Sequence, residues 1–252
     1  MTAETGAGRL PRFNPAADDG DELTFCSTCA FGSVCMAQGL DKVALRELHC
    51  LVEHDGPYAA GEHVFRIGDR FNALYAVRSG TLKTSVVDDS GREQVLGFYL
   101  PGEMVGLNAI HPARYPCDAI ALDAVEVCRF SFPALATLAT RLPGIQQQLF
   151  RLLSEDIGKA SLLAGDYSAD ERLAAFLVGL GERYAACHMS ATALRLSMAR
   201  SDLASYLRLA TETVSRVLHR LQDRKLIHVD GRDVTIIAPE QLHTLARNAL
   251  HR

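Results

Sequence analysis

The sequence lacks any long apolar run, and its mean hydropathy of +0.04 is that of a globular chain. A transmembrane helix needs about 20 apolar residues in succession, so none is expected. Residues 1–19 also lack the basic and then apolar pattern of a signal peptide. We therefore expect a cytoplasmic protein without a membrane partner, whose seven cysteines stay reduced rather than forming a disulfide framework.

Patterns of common enzyme classes are missing as well. The C-x3-C-x2-C spacing of radical iron–sulfur enzymes does not occur, there is no nucleotide fingerprint, and the nine histidines are scattered. No nucleophile stands in a recognisable arrangement with a base. We therefore expect that the protein is not an enzyme.

The net charge of −4 conceals an uneven distribution. Residues 1–167 carry 14 Lys and Arg against 21 Asp and Glu, whereas residues 168–252 carry 12 against 9. Within 192–232 the count is 8 against 4. A basic segment on an acidic body is typical of an element that faces a polyanion, although many basic helices are merely solvated.

A chain of 252 residues suggests two domains. Residues 1–24 are polar and partly acidic, which predicts a disordered lead. After a helix over about 41–53, turn signals at 79–80, 90–91 and 101–102 separate short runs rich in Val, Tyr and Phe. This spacing predicts an antiparallel sandwich or barrel up to about residue 132, and a mostly helical second domain follows a link at 165–169.

Residues 133–163 are predicted to be helical, and five apolar residues there repeat at spacings of 3, 4, 3 and 4. This is the a/d pattern of a seam between two helices. The seam narrows to alanine at its C-terminal end, which would let two helices approach closely. We therefore predict a homodimer, the alternative being a helix packed on its own domain. The seam consists of Phe150, Leu153, Ile157, Ala160 and Ala164.

The second domain has the layout of a helix-turn-helix. Helices are predicted over 201–208 and from 211 to about 225, with a short joint at Leu209 and Ala210. A hairpin signal at Asp230-Gly231 follows, which adds a wing. The predicted buried faces of the two helices are Leu203, Ala204 and Leu207, and Val214, Val217, Leu218 and Leu221.

On the second of these helices, Glu212, Ser215 and Arg216 share the face opposite the apolar one. Arg216 can donate to guanine O6 and N7, and Glu212 can accept from cytosine N4, so together they could read one G·C pair. Taken singly, Glu212 could instead stabilise a helix N-terminus, and Arg216 could be a surface cation. Further predicted DNA contacts are Thr211, Thr213 and Arg220, and Arg220, Arg224 and Lys225 are suited to phosphates.

Three cysteines lie within ten residues, in the spacing C-x2-C-x5-C at Cys26, Cys29 and Cys35. The small residues among them let backbone N–H groups approach sulfur, which favours an iron–sulfur cluster. Structural zinc would favour a second local C-x2-C pair, which is absent, and three free buried thiols so close together would be unusual. A fourth ligand must come from elsewhere, and the candidates are Cys50, Cys117, Cys128 and Cys187.

Together with this cysteine run, four segments make the chain resemble the FNR-type oxygen-sensing regulators of the cyclic-AMP receptor protein superfamily. The resemblance extends from Cys26 to about Ile237. The four segments are Leu-Tyr-Ala-Val-Arg-Ser-Gly-Thr at 74–81, Gly-Phe-Tyr-Leu-Pro-Gly-Glu at 97–103, Glu-Arg-Leu-Ala-Ala-Phe at 171–176 and Glu-Thr-Val-Ser-Arg at 212–216.

The resemblance implies an α+β fold in three parts. These are a cluster-binding loop with an antiparallel β-roll like that of cyclic-nucleotide-binding domains over 25–132, a long dimerisation helix over 133–165, and a winged helix-turn-helix domain over 166–252. It also implies a [4Fe-4S] cluster. The family's fourth ligand stands in a Val-Cys-x-x-x-Phe context, which matches 127–132 and selects Cys128 beside Cys26, Cys29 and Cys35.

The family's regulation follows from the same resemblance. Without oxygen, the cluster-bearing dimer is expected to bind an inverted repeat of TTGAT half-sites and to activate or repress genes of anaerobic metabolism. Glu212, Ser215 and Arg216 match the base-reading positions. Oxygen would degrade the cluster and release the DNA. The turn at 88–92 aligns with a loop that contacts RNA polymerase in relatives, although a hairpin needs turn residues there anyway.

The sequence departs from the family in two places. Relatives often carry an acidic residue that keeps the cluster-free form monomeric, and this chain has Ala160 there. The segment 158–169 is also about one turn shorter, so we expect an unusually persistent dimer. A cyclic-nucleotide receptor of this fold needs an Arg beside a Ser or Thr for the cyclic phosphate, and Pro116-Cys117 stands there instead. We therefore expect that the protein does not bind a cyclic nucleotide. The alternative interpretation of the whole sequence is a regulator of this fold with a structural zinc or another effector.

Overall fold

The computed structural model describes Cys26, residues 29–161 and residues 165–250. The predicted lead over 1–24 and the seam residue Ala164 lie outside the described residues. The chain divides into two compact units, with the boundary between Gly158 and Lys159. None of the helices among the described residues has the length and apolar character needed to cross a membrane.

The first unit begins with a short helix and continues as an antiparallel β-roll. Asp41 caps the helix α1 (Lys42–His49), because its carboxylate accepts from the Ala44 N–H at 2.8 Å. Eight strands follow: β1 (Val52–Tyr58), β2 (His63–Phe65), β3 (Ala73–Ser79), β4 (Leu82–Val87), β5 (Glu93–Tyr99), β6 (Met104–Val105), β7 (Asp118–Ala121) and β8 (Val125–Ser131).

These strands form two four-stranded antiparallel sheets, in the orders β1-β8-β3-β6 and β2-β7-β4-β5. Apolar residues from both sheets fill the space between them, including Phe65, Leu74, Leu82 and Phe130. Gly80 turns the chain between β3 and β4 with φ of +77°, and a Cβ there would lie 2.4 Å from the Ala124 carbonyl oxygen. The antiparallel β-roll predicted from the sequence is confirmed.

Two predicted boundaries were wrong. The first helix ends at His49 rather than Glu53, because residues from Val52 onward pair with β8. The helical segment that begins near Pro133 is two helices, α2 (Phe132–Arg141) and α3 (Pro143–Ser161). Leu142, between them, is extended, since a residue that precedes proline disfavours the helical region.

The second unit contains α4 (Ala169–Ala186), β9 (Ala193–Arg195), α5 (Arg200–Leu207), α6 (Thr211–Asp223), β10 (Ile227–Asp230), β11 (Asp233–Ile236) and α7 (Pro239–Leu250). Ser168 and Glu171 form a reciprocal capping box at the start of α4. The hairpin β10-β11 turns at Gly231, as predicted, and β9 extends it to a three-stranded sheet. The sequence analysis did not foresee β9 or α7, which packs along α4.

Candidate functional site

The ligand loop, residues 29–40, is a series of turns that is anchored on the β-roll unit. Phe31 and Met36 are buried and fix the loop through apolar contacts. The turn at Gly102 approaches the loop so closely that a Cβ on this glycine would lie 2.2 Å from Cγ2 of Val34. The three clustered cysteines therefore lie against the body of the unit, although the loop has no regular secondary structure.

Cys128 lies in the middle of β8, the strand that pairs with both β1 and β3. Its direct cross-strand partners are His54 on β1 and Ala76 on β3. The side chain is half-buried and packs against the core cluster, as do Cys26 and Cys35. Strand pairing on both sides fixes the position of this thiol.

The electrostatic environment of the thiols shows that Cys128 and the ligand loop are neighbours. Burial raises the pKa of Cys35 to about 12, and the nearby Cys128 and Cys29 raise it further. Burial also raises the pKa of Cys128 to about 12, with contributions from Cys26 and Cys29. The pKa of Cys26 is about 11, because of burial and then Cys29. Each of the four thiols therefore interacts with at least two of the others.

Cys117 has different neighbours. It is buried at the start of the β7 region, where Nδ2 of Asn108 lies 3.8 Å from its Sγ atom. Burial raises its pKa, the Asn108 hydrogen bond lowers it, and Asp118 and Asp156 raise it, but no other thiol contributes. Cys50 is exposed after α1, and Cys187 belongs to the second unit, at the end of α4. The structure thus separates Cys128 from Cys117, which the residue pattern alone could not.

The four neighbouring thiols fit a soft metal centre by their chemistry. Thiolates are the preferred ligands of iron–sulfur clusters, and a bound cation would relieve the burial and mutual repulsion that raise the pKa of Cys26, Cys35 and Cys128. Within the described part of the chain, however, no three His, Cys, Asp or Glu side chains converge closely enough to hold a metal ion.

Helix α3 has one face on the β-roll and one on the outside. Ile145 and Leu152 are buried in the core, and the seam residue Leu153 packs partly against it. The seam residues Phe150 and Ile157, one heptad apart, are 61% and 69% exposed. Ala160 lies in the helix, and Ala164 is outside the described residues. An exposed apolar pair on a long helix is typical of a surface that packs against a second helix.

In the second unit, α5 and α6 form the predicted helix-turn-helix. The turn begins at Arg208, which adopts a left-handed conformation with φ of 55°, and continues through Leu209 and Ala210. The buried residues of both helices are those predicted from the sequence, namely Leu203, Ala204 and Leu207 on α5 and Val214, Val217, Leu218 and Leu221 on α6. The apolar faces pack together and leave the opposite face of α6 outside.

That outer face carries the predicted base-reading residues. Thr211, Glu212, Ser215 and Arg216 are exposed, and Thr213 is half-buried. The Ser215 hydroxyl donates to the Thr211 carbonyl at 3.2 Å, and Nε of Arg216 lies 3.4 Å from the Glu212 carbonyl. The Arg216 side chain is exposed, as recognition of a base edge requires.

Arg220 is also exposed, but it forms an ion pair with Asp170 at the start of α4. The ion pair uses Nη2 of Arg220, so a contact with DNA would use the other guanidinium N–H groups or would require the pair to break. Two residues that the sequence analysis did not single out form hydrogen bonds with the backbone of the wing, the hairpin β10-β11. Oε1 of Gln222 accepts from the Val229 N–H at 2.8 Å, and Arg200 donates to the Gly231 carbonyl at 2.9 Å. With Ser215 and His219, they line a hollow beside the recognition face.

The fold and the exposed helix define a class of protein: a winged helix-turn-helix regulator with a sensor-type β-roll. The sequence profile of the cyclic nucleotide-binding domain matches residues 56–141, and that of the Crp-like helix-turn-helix domain matches residues 171–245. The chain is 42% identical to the transcriptional activator protein Anr of Pseudomonas protegens, over 88% of this chain and 92% of that protein. It is 39% identical to an anaerobic regulatory protein of Haemophilus influenzae, over 84% and 83%.

Among solved structures, FixK2 of Bradyrhizobium japonicum superimposes with a TM-score of 0.70 at 26% identity, covering 77% of this chain and 96% of that one. The chain therefore belongs to the CRP/FNR family of DNA-binding transcription regulators. This family does not consist of enzymes, so the prediction of a non-enzyme is confirmed.

Proposed function

We propose that this protein is an oxygen-responsive transcription regulator, in which Cys26, Cys29, Cys35 and Cys128 hold a [4Fe-4S] cluster. The observation that carries the proposal is the mutual interaction of these four half-buried thiols, in which Cys117 does not take part. The name of the Haemophilus influenzae relative, an anaerobic regulatory protein, supports the same signal.

When bound, the cluster would supply an oxygen-labile link among four thiolates. The ligand loop would then be tied to the central strand β8. Loss of that link in air would leave the loop held by its other contacts, among them the buried side chains of Phe31 and Met36 and the hydrogen bond from Nε2 of Gln148 to the Cys35 carbonyl at 3.0 Å. A loop that has two attachment states can bias a second equilibrium in the molecule. We infer that this second equilibrium is the pairing of two α3 helices.

Dimerisation would bury the exposed residues Phe150 and Ile157 against a second copy, with Leu153 between them and Ala160 and Ala164 beyond. A symmetric dimer presents two α6 helices to DNA, so its site is an inverted repeat, for which we propose TTGAT half-sites. In each half-site, Arg216 and Glu212 would read one G·C pair and Ser215 an adjacent base, with Thr211 and Thr213 as further contacts.

The turn between β4 and β5 is a candidate contact for RNA polymerase. Asp88 organises the turn, because its carboxylate accepts hydrogen bonds from the backbone N–H groups of Ser90 and Arg92 at 2.9 and 3.0 Å. The turn is exposed, as a docking surface must be. The same bonds would stabilise any hairpin, so this assignment rests on the resemblance.

Two alternatives make different predictions. A cyclic-nucleotide receptor would need a cation for the cyclic phosphate, and the position concerned holds Cys117 beside Asn108. Cyclic AMP should therefore leave the melting temperature unchanged. A structural zinc at the four thiols would give a colourless protein whose metal does not respond to oxygen.

The test is an anaerobic absorbance spectrum with iron and sulfide analysis, followed by exposure to air. Wild type and Cys117→Ser should carry about four iron and four sulfide per chain and lose them in air. Cys128→Ser should not assemble this cluster, since a hydroxyl is a poor ligand for iron in such centres. Zinc without iron, or an oxygen-sensitive cluster in Cys128→Ser together with its loss in Cys117→Ser, would refute the proposed ligand set.

A further inference from the structure

Arg78 lies at an irregularity of β3, beside the ligand-bearing strand β8. Ala76 of β3 pairs with Cys128 of β8. Three residues further along β3, Ser79 pairs with Glu126, which is only two residues back along β8. The register therefore shifts by one residue, and Arg78 occupies the bulged part of β3. Bulges of this kind redirect a side chain and are frequent next to functional sites.

The bulge brings the Arg78 side chain within reach of the Cys128 thiol. Arg78 follows Ala76 by two positions, which is about 7 Å along a strand, and neighbouring strands lie about 4.8 Å apart. An extended arginine side chain is long enough to cover most of this distance. Both Arg78 and Cys128 are half-buried. The two groups can therefore interact at a site where water and salt screen charges only in part.

Two groups on this part of the sheet experience the positive charge of Arg78. Burial and the neighbouring thiols raise the pKa of Cys128, whereas Arg78 lowers it. The pKa of His54, the partner of Cys128 on β1, is lowered by burial and then by Arg78. Glu126 acts on both groups in the opposite direction, but less strongly than Arg78. Of these two charged side chains, the arginine therefore dominates at Cys128.

A second arginine, Arg129, follows Cys128 directly in the sequence but has other neighbours. It forms an ion pair with Glu53 of β1 and does not contribute to the shifted pKa of Cys128. Successive side chains of a strand point to opposite faces of the sheet, which accounts for this difference. Arg129 therefore has the same charge as Arg78 without its interaction with the thiol.

We propose that Arg78 stabilises the assembled cluster by offsetting the negative charge of its thiolate ligands, an effect that Glu126 opposes. Charges and hydrogen bonds close to the sulfur atoms tune the properties of such centres. A guanidinium remains charged throughout the pH range in which proteins are folded, so its contribution is permanent. This inference rests on the proposed function but concerns a residue that is not a ligand.

The test measures the release of iron from anaerobically assembled protein to the neutral chelator 2,2′-bipyridine, which the charge of a variant does not attract or repel. At about 50 mM salt, Arg78→Gln should release iron about fivefold faster than wild type. Arg78→Lys, which keeps the charge, and the matched control Arg129→Gln, which loses one, should stay within about twofold of wild type. Glu126→Gln should release iron about twofold more slowly, since the opposing charge is gone.

An electrostatic role also has a signature in salt. At about 1 M salt the Debye length falls to about 3 Å, so the difference between Arg78→Gln and wild type should shrink from about fivefold to about twofold. A purely structural role would make Arg78→Lys release iron as fast as Arg78→Gln, without a dependence on salt. That result would overturn the proposal, and so would equal release from wild type and Arg78→Gln.

Iron and sulfide content after assembly covers the case in which Arg78→Gln holds too little cluster for a release rate. A full cluster in Arg78→Lys beside a depleted Arg78→Gln would then support the proposal, whereas equal depletion of both would overturn it. Failure of the proposed function has a different signature, namely an iron-free wild type after anaerobic purification, which would refute this inference as well. Equal iron release from an iron-loaded wild type and all variants would refute the inference alone.

Discussion

Asp170, near the start of α4, forms an ion pair with Arg220 on the recognition helix α6. A second contact joins α4 to the other helix of the motif. Arg172, also on α4, donates to the carbonyl of Leu207 at the end of α5 at 3.1 Å. The same guanidinium donates to the carbonyls of Tyr167 and Gly165 in the segment that precedes α4. Both helices of the DNA-binding motif are therefore attached to the first turn of α4.

This pairing leads to a prediction about Arg220. Because its charge is compensated by Asp170, Arg220→Ala should leave the slope of log K against log salt for operator DNA within error of wild type, whereas a lost phosphate contact lowers that slope by about 0.9. Asp170→Asn should make the slope steeper, that is, more negative, since it leaves the guanidinium charge uncompensated and available to a phosphate. Fluorescence anisotropy titrations from 50 to 200 mM salt would measure both. A slope whose magnitude falls by about one unit in Arg220→Ala would show instead that Arg220 contacts a phosphate.

Arg216 should behave in the opposite way. Its truncation to alanine removes a bidentate contact to guanine, and we expect a loss of about 1–3 kcal/mol in binding the palindromic site and a relaxed preference at one base pair. Arg224→Ala is the control, because Arg224 is exposed near the end of the same helix but off the reading face. It should weaken specific and non-specific DNA binding equally. An identical loss of specificity in the two variants would argue against base reading by Arg216.

The recognition helix could be predicted so fully because its amphipathic period leaves little choice: Val214, Val217, Leu218 and Leu221 can face the core only if Glu212 and Arg216 face outward. The two-sheet antiparallel architecture of the first unit likewise followed from regular turn signals, whereas its description as a β-roll came from the family resemblance. The break before Pro143 was visible in the sequence, since proline restricts the residue before it, but the continuous apolar pattern over 133–163 obscured it.

Other features depend on tertiary structure and have no local signal. Cys117 and Cys128 are alike in sequence, and only the pairing of β8 with β1 and β3 brings Cys128 beside the ligand loop. Gln148 is buried and donates to the Cys35 carbonyl, whereas Gln146 and Gln147 are exposed. The sequence could not predict this difference, because burial of a single amide between a helix and a loop has no periodicity. The hydrogen bonds of Gln222 and Arg200 to the backbone of the wing likewise have no local signal in the sequence.

The raised thiol pKa values lead to a prediction for the cluster-free protein. Cys35, with a pKa of about 12, is thiolate to only about one part in ten thousand at pH 8, so its alkylation should be slow and should rise about tenfold per pH unit up to pH 11. Cys128 should follow the same course, and exposed Cys50 should be labelled first. Iodoacetamide labelling followed by peptide mass spectrometry would measure this order. Equal labelling of Cys35 and Cys50 at pH 8 would contradict the buried arrangement.

The exposed pair on α3 predicts the effect of a charge at the seam. Phe150→Glu or Ile157→Glu should raise the dimer dissociation constant at least about a hundredfold, about 2.7 kcal/mol, because a carboxylate would have to be buried against a second helix. Val43→Glu on α1 is the control, since Val43 is equally exposed, at 63%, but lies elsewhere. Sedimentation equilibrium without air would compare the three. The seam would be misassigned if Val43→Glu weakened the dimer as much as Phe150→Glu did.

Gly102 provides a test of the contact between the β-roll and the ligand loop. Its φ of +90° disfavours any other residue, and an added Cβ would lie 2.2 Å from Cγ2 of Val34 and 3.1 Å from Cβ of Phe31. Gly91 is a matched control, because its φ of +80° is similar but nothing lies within 4 Å of an added Cβ. Both alanine variants should lose about 1–2 kcal/mol of stability through backbone strain, measured by thermal melting. Only Gly102→Ala should also lose iron and sulfide after anaerobic assembly, since only there must the loop shift away from Cys128. Equal cluster content in the two variants would show that the ligand loop does not need this contact to reach β8.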